Sequence, residues 1–264
     1  MGRRRRSLLG GRGVPADRRA QARIALTARL LLSYDGTGFR GWAAQPGLRT
    51  VQGVLEDALA AVLGKRVALT VAGRTDSGVH ARGQVASHPG TSAPAAALNA
   101  HLPDDVCVIE SEDAPEAFDA RRDARSRTYR YRVLATPEGS VFEHNRALHW
   151  RRPVDRAALD ACAAMLPGTH DFTAFTPTRT GHVRFERDVM RAEWVDEEDD
   201  VLAFWIEADT FMRHMVRTLV GTMLGVAAGR WQPERFASLL AGRPRSDAGD
   251  AAAAHGLYLE SVRY

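Results

Sequence analysis

The spacing of apolar residues in the first half of the chain predicts strands and helices in alternation. Residues 24–34 form an apolar run that ends at the turn Asp35-Gly36, as a strand would. A helix is predicted next, because Thr50 is a favourable N-cap residue and Gly64 a favourable residue for its C-terminal end. Its apolar face comprises Val51, Leu55, Leu59 and Val62. Further elements are expected in this order: a strand at 67–72, a strand at 84–88, a short helix at 94–99 and a strand at 106–110.

The second half of the chain shows the same kinds of pattern. Residues 125–135 alternate so that Tyr129, Tyr131 and Val133 share one face of a strand, while Arg130 and Arg132 share the other. The remaining predicted elements are an amphipathic helix at 154–166, a hairpin of 189–195 with 201–208, an apolar helix with Met212, Met215, Leu219 and Met223 along one stripe, a short helix from Pro233, and a strand at 256–262. We therefore predict an α+β fold with helices on one side of a sheet and a cleft between two halves.

Composition indicates the size of the fold, the location of the protein and the role of its two cysteines. The chain has 264 residues, of which 45% are hydrophobic and 26% charged, enough for one large domain or two small ones. No apolar run approaches the roughly 20 residues of a membrane span, and only Leu8 and Leu9 follow the first arginines, which is too short for an export signal. Cys107 and Cys162 lie far apart, so we expect neither a disulfide framework nor a cysteine zinc site. A cytoplasmic location is expected.

Positive charge is concentrated at the start of the chain. Residues 1–23 carry a net charge of +7, whereas the whole chain carries +4, so residues 24–264 sum to −3. We expect residues 1–23 to be a disordered basic tail. Such a tail either helps to hold a polyanion or only improves solubility, and the sequence favours neither. A nucleic-acid site in the body of the protein must be a local basic patch.

The segment AGRTDSGVHARGQ, residues 72–84, holds the most informative polar residues. Asp76 lies in a glycine-rich loop that follows a predicted buried strand, where functional side chains are often presented. Arg74 could pair with Asp76 and keep it ionised, as a nucleophile or a base requires. The alternative is that Asp76 only makes an Asx turn and Arg74 is a surface side chain.

Two further segments have both a functional and an ordinary interpretation. The tyrosine-arginine strand could be a nucleic-acid platform on which a tyrosine stacks against a base, or a half-buried strand with a solvated face. Its phosphate contacts would come from Arg121, Arg122, Arg125, Arg127, Arg130 and Arg132. In FMRHMVRTLVG, Arg217 lies between Val216 and Leu219 and needs an anionic partner if it is buried. Asp76 is the best candidate for that partner; otherwise Arg217 extends to solvent at the edge of the core.

Taken together, these segments resemble the tRNA pseudouridine synthase A family from about residue 24 to residue 264. The similar stretches occur in the same order and include YDGTGFRGW, TVQGVLEDAL, AGRTDSGVHARGQV, LNAHLP, FDARRDARSRTYRYR, FTAF, FMRHMVRTLVG and GLYL. The resemblance implies that Asp76 is the catalytic aspartate and that Arg217 pairs with it. It also implies that Tyr129 stacks on the uracil, that Arg74 helps to evert the target uridine, and that Arg121 contacts tRNA. Ser77 stands where the family usually has alanine, and we expect it to be tolerated.

The family resemblance implies a pseudouridine synthase fold, that is, a mixed, mainly antiparallel sheet made of two related halves with a central active-site cleft. We place these halves at 24–116 and 117–264. The implied activity is isomerisation of uridine to pseudouridine at tRNA positions 38, 39 and 40, by a homodimer that needs neither metal nor cofactor.

The implied reaction breaks the bond between N1 and the ribose, turns the uracil and rejoins it through C5. One ionised carboxylate suffices, whether it attacks the sugar, attacks the base or removes a ribose proton. Two other interpretations stay open: a synthase of the same fold with other target uridines, and a tRNA-binding chaperone without catalysis. A phosphate-binding hydrolase is disfavoured, because the glycine loop lacks the P-loop lysine and the paired carboxylates of a metal site.

Overall fold

The computed structural model describes residues 26–264. The disordered tail predicted at 1–23 and the first two residues of the strand predicted at 24–34 lie outside the described residues. No helix in the described part is of a length and apolarity that would let it cross a membrane.

Ten strands and five α-helices make up the described chain. The strands are β1 Leu26–Tyr34, β2 Thr70–Val71, β3 His80–Pro89, β4 Val106–Pro115, β5 Ser126–Leu134, β6 Leu148–His149, β7 Gly168–Asp171, β8 Glu186–Asp196, β9 Val201–Ala208 and β10 Leu257–Arg263. The helices are α1 Val51–Leu63, α2 Ala95–Asn99, α3 Arg156–Ala164, α4 Met215–Ala227 and α5 Pro233–Leu239.

All ten strands belong to one sheet, and its order shows where β1–β4 meet the strands that follow them in the chain. The main path runs β4-β1-β3-β10-β5-β9-β8-β7, with β2 beside β3 and β6 beside β5. The last strand of the chain, β10, pairs parallel with β3 and antiparallel with β5. Along the main path the other pairs are antiparallel. The predicted α+β class and mainly antiparallel sheet are confirmed, and β10 joins β3 to β5 in that sheet.

One face of the sheet is covered by the helices, and the other is polar. The strand register places five paired residues in a row across the centre of the covered face: Tyr34, Ala81, Leu259, Tyr129 and Ile206. All five are buried in the same cluster as residues of α1, α3, α4 and α5. Their neighbours on the opposite face include His80, Tyr258, Arg130 and Trp205. The predicted placement of helices on one side of the sheet is therefore confirmed.

Most predicted elements are present, and the differences have local causes. The caps of α1 are as predicted, since the Thr50 side chain accepts a hydrogen bond from the Gly53 N–H and Gly64 is left-handed, with φ 68°. The strand predicted at 67–72 is only β2, Thr70–Val71, whereas β3 is longer than predicted. Two short strands were not predicted, β6 and β7. They have two and four residues, too few to show an alternating pattern.

Candidate active site

The loop that carries Asp76 is held by backbone contacts to the segment 36–42. The Trp42 N–H donates to the carbonyl oxygen of Thr75 at 3.0 Å, and the Ser77 hydroxyl donates to the carbonyl oxygen of Phe39 at 3.1 Å. Gly41 has φ +90°, and a Cβ there would lie 2.9 Å from the Thr75 carbonyl oxygen. Only glycine fits this close approach without strain. The two motifs YDGTGFRGW and GRTDSGVHA therefore form one unit.

Buried side chains beneath the loop fix the residues just before Asp76. The Gln84 amide donates to the carbonyl oxygen of Gly73 at 2.7 Å and to the Tyr34 hydroxyl at 3.3 Å. That hydroxyl is in turn 2.8 Å from the Thr75 hydroxyl. Burial raises the pKa of Tyr34 to about 12, so the phenol is neutral near pH 7. A neutral hydrogen-bonded network thus sets the path of the chain into Asp76.

Asp76 is contacted from the start of α4. Its Oδ2 atom lies 3.3 Å from a terminal guanidinium nitrogen of Arg217 and 3.4 Å from Nε2 of His214. The Arg217 Nε–H donates to the carbonyl oxygen of Ala252 at 2.7 Å, which orients the guanidinium. The Arg217 side chain is 16% exposed and the Asp76 side chain 31% exposed. Because a buried guanidinium without an anionic partner is unfavourable, we predicted that Arg217 pairs with Asp76. The structure brings these two residues together.

Arg74 does not pair with Asp76. Its side chain is exposed and makes no ion pair or hydrogen bond within residues 26–264. The local prediction of an Arg74–Asp76 pair is therefore wrong. An exposed guanidinium is stabilised by water and needs no carboxylate, whereas the largely buried Arg217 does.

Tyr129 lies beneath the same loop. It is 7% exposed, and its ring meets Phe211 edge-on at a centroid distance of 4.9 Å. A Cβ on Gly73 would lie 3.4 Å from the Tyr129 hydroxyl oxygen. Burial is the main cause that raises the pKa of Tyr129 well above its usual value, and the nearby carboxylate of Asp76 adds to it. Tyr129 is thus a neutral phenol close to Asp76.

The six arginines predicted to contact phosphates differ in exposure and in whether a carboxylate pairs with them. Arg121 and Arg125 are exposed, and their side chains have no carboxylate partner in the described chain, whereas Arg122 pairs with Asp123. Arg130 and Arg132 lie on the face of the sheet opposite Tyr129 and pair with glutamates. The alternation of β5 that brings Tyr129 to the covered face directs these two arginines away from it.

Arg127 was predicted to contact phosphate, and this prediction is wrong. The residue is 7% exposed and donates hydrogen bonds of 2.8–3.2 Å to backbone carbonyl oxygens. These acceptors are Ala72, Arg121, Ala124 and Asp209. One side chain thus joins the start of the Asp76 loop, the Arg121 loop and the chain that leads from β9 to α4. No local sequence pattern signals this role, because all its partners are main-chain atoms.

The histidine of the 72–84 motif has a structural role. Nδ1 of His80 accepts a hydrogen bond from the Gly36 N–H at 3.0 Å, so Nδ1 carries no proton. Nε2 lies 3.0–3.1 Å from the carbonyl oxygens of Asn145 and His255, to which it donates. Burial lowers the pKa of His80, despite the carboxylate of Asp35 nearby. The neutral ring ties β3 to three other segments on the opposite face of the sheet from Tyr129.

Comparison with known proteins places this chain in the pseudouridine synthase class. A family model described as "tRNA pseudouridine synthase" matches residues 162–264. A protein of Halalkalibacterium halodurans named tRNA pseudouridine synthase A is 43% identical over 238 residues, which cover 86% of this chain and 89% of that protein. A Frankia casuarinae protein of the same name is 46% identical over 243 residues, which cover 89% of this chain and 88% of that protein. The chain belongs to the tRNA pseudouridine synthase A family.

Proposed function

We propose that this protein isomerises uridine to pseudouridine at positions 38, 39 and 40 in the anticodon arm of tRNA. In this proposal it acts as a cytoplasmic homodimer, and Asp76 is the catalytic carboxylate. The observation that carries the proposal is the contact between Asp76 and Arg217, residues 141 positions apart that meet at the centre of the sheet. The family membership supplies the reaction class.

The contacts of Asp76 suit it to act as an ionised carboxylate. Arg217 stabilises the negative charge, and both of the groups that contact the carboxylate approach Oδ2. No residue in the described range donates a hydrogen bond to Oδ1. Attack on the sugar, attack on the base and removal of a ribose proton all begin from this ionised form. Oδ1 is therefore the oxygen that we assign to the reaction.

A uridine in a stem must leave its stack before Asp76 can reach it. Eversion costs a few kcal/mol, and stacking on an aromatic ring returns about 1–3 kcal/mol per base. Tyr129 supplies such a ring next to the Asp76 loop, and Phe211 packs against it edge-on. The exposed Arg74, two residues before Asp76, can fill the space that the base vacates. Arg121 is exposed, which supports assigning to it a contact with the RNA backbone.

Tritium release from tRNA that carries 5-tritiated uridine tests the role of Asp76. We expect Asp76→Asn and Asp76→Ala to bind tRNA normally and to release no tritium. Asp57→Asn is a matched control, because Asp57 is an exposed carboxylate whose one ion pair among residues 26–264 is with exposed Arg66. Near-normal turnover by either Asp76 variant would refute the assignment.

The target positions need a separate experiment. Unmodified anticodon-arm RNA is assayed with uridine replaced in turn at each candidate position, and we expect release to require uridine at 38, 39 or 40. Release from other positions only would favour a synthase with different targets. Tight binding without release from any position would favour a tRNA-binding chaperone. Sedimentation of the free protein tests the homodimer.

A further inference from the structure

We propose that His214 is a positioning residue for Asp76: its Nε2–H donates to Oδ2, so that His214 and Arg217 together fix that oxygen and leave Oδ1 for the reaction. This inference rests on the proposed role of Asp76. It adds a residue to which neither the sequence motifs nor the family resemblance assigns a role.

The backbone of His214 is unusual for its position. It is left-handed, with φ 61° and ψ 0°, immediately before the first residue of α4. Three other non-glycine residues in the described chain have positive φ, and these are Asn145, Asp199 and Asp200. Asn and Asp adopt this conformation readily because their short side chains hydrogen-bond locally. His214 is the one of the four that is neither, and non-glycine residues in this region often occur at functional sites.

The side chain of His214 does not perform the usual task of its position. A residue before the first turn of a helix normally caps it with a side-chain acceptor. The His214 side chain makes no such hydrogen bond to α4, although its carbonyl oxygen accepts from the Thr218 N–H at 2.9 Å. Its imidazole instead places Nε2 3.4 Å from Oδ2 of Asp76. The His214 side chain thus contacts the carboxylate, while its main chain takes part in the start of the helix.

The charges around His214 favour a neutral ring. Burial lowers its pKa, the carboxylate of Asp76 opposes that change, and the guanidinium groups of Arg217, Arg213 and Arg245 add to it. A neutral imidazole has one N–H donor, and Asp76 is the carboxylate within reach of Nε2. In this proposal His214 orients Asp76 through the 3.4 Å contact of Nε2 with Oδ2, while Arg217 supplies the positive charge.

Two groups in contact with one oxygen limit how the carboxylate can turn. Each carboxylate oxygen accepts through two lone pairs, and here Arg217 and His214 both approach Oδ2. Without His214, Arg217 alone would hold Oδ2 at 3.3 Å, and the carboxylate could rotate about that contact. The reactive oxygen would then spend less time in the orientation for attack, which lowers the rate of the chemical step more than the binding of tRNA.

His214→Gly is the decisive variant, because glycine keeps the left-handed backbone at no steric cost and removes only the imidazole. We expect kcat for tritium release to fall about 10-fold or more, with KM for tRNA within about 2-fold of wild type, as expected for a lost orienting contact. Free imidazole should restore part of kcat by occupying the vacated space. His214→Asn tolerates the same backbone and keeps an N–H donor, so it should retain more activity than His214→Gly.

The outcomes separate this inference from the proposed function. An unchanged kcat in His214→Gly, alongside inactive Asp76→Asn, would overturn the role of His214 and leave that of Asp76 intact. A lower melting temperature with a lower kcat that imidazole does not restore would also overturn it, because that result describes a residue needed only for the helix start. Activity in Asp76→Asn would instead overturn the proposed function. Imidazole should have no effect on Asp76→Asn.

Discussion

The two faces of the sheet use arginine in opposite ways. On the covered face, Arg217 meets a single carboxylate, that of Asp76, while Arg74 and Arg121 at the surface have no carboxylate partner in residues 26–264. On the opposite face, Arg130 and Arg132 are held by carboxylates on several sides. Strand β5 directs two arginines, Arg130 and Arg132, to the opposite face. Because glutamates already pair with both, that face offers a ligand less positive charge than the number of its arginines indicates.

On the opposite face, carboxylates pair with the arginine side chains and offset their positive charge. Arg130 contacts Glu197 and Glu260, each at 2.7 Å, and Arg132 contacts Glu143 and also Glu197. A cavity of about 460 Å³ lies on this face, and the Arg146 guanidinium at its wall is 2.7 Å from the carboxylate of Asp35. An arginine-rich motif thus does not by itself define an RNA-binding surface. An arginine is available to RNA phosphates only if its guanidinium group is not already paired with a carboxylate of the protein.

Of the changes predicted here, removal of the Arg217 guanidinium should have the largest effect, and that effect is on kcat. We expect Arg217→Gln to lower kcat by about 10³-fold, since removal of one preorganised charged group from an active site costs about 10²–10³ in rate. Tritium release under single-turnover conditions measures this. Arg213→Gln is the matched control, because Arg213 precedes the same helix, is exposed and has no carboxylate partner in the described chain. Its kcat should stay within about 3-fold of wild type, and equal losses in both variants would contradict the comparison.

The next largest effect concerns the buried residue Arg127 and is on the stability of the fold. Arg127→Met keeps the apolar length of the side chain but leaves four main-chain carbonyl oxygens without their donor. We expect the free energy of unfolding to fall by about 2–3 kcal/mol, the usual cost of unsatisfied buried polar groups. Denaturant titration measures it. Arg125→Met, an exposed change two residues earlier, should alter stability by less than about 0.5 kcal/mol. Equal midpoints for Arg127→Met and wild type would show that its hydrogen bonds add nothing.

The sequence predicts the fold well where a pattern is long enough to have a period. The caps of α1, the two-sided alternation of β5 and the hairpin of β8 with β9 all follow from local residues. The start of α4 does not, because His214 is left-handed and the helix begins only at Met215, which leaves Met212 outside it. Apolar periodicity would extend that helix through Met212, and no local residue pattern predicts the left-handed turn.

The sequence predicts the site in part, and the limits are physical. The cost of burying a guanidinium predicts that Arg217 needs a carboxylate, and the structure supplies Asp76. Alternation shows that Arg130 and Arg132 share a face, but it cannot show that Glu197 and Glu260 come to that face from distant strands and turns. Pairing across a sheet depends on strand order, which local residues do not determine.

A smaller effect should appear in tRNA affinity. We expect Arg121→Gln to raise KM for tRNA about 5-fold to 10-fold and to lower the dependence of log KM on log salt by roughly one unit of slope, as loss of one phosphate contact does. Arg132→Gln on the opposite face is the control and should change neither value. If Arg132→Gln raises KM as much as Arg121→Gln, both faces contact RNA, and the distinction between them fails.

The smallest effect concerns the carboxylate shared by Arg130 and Arg132. Burial opposes ionisation of Glu197, but hydrogen bonds from Arg132 and Arg130 outweigh it and lower its pKa below the ordinary 4.5. A carboxylate with a lowered pKa stabilises the folded state above its unfolded pKa, and this stabilisation is lost as pH falls through the folded pKa.

Glu197→Gln should therefore reduce the free energy of unfolding by about 1 kcal/mol at pH 7, a value moderated by partial exposure to solvent. Denaturation at a series of lower pH values should show the gap to wild type closing, with Glu198→Gln, an exposed neighbour, unchanged throughout. Tritium release should be the same for wild type and Glu197→Gln at pH 7. A loss of turnover in Glu197→Gln would mean that the glutamate-paired arginines of the opposite face act on the proposed active site, and the two faces could no longer be treated as independent.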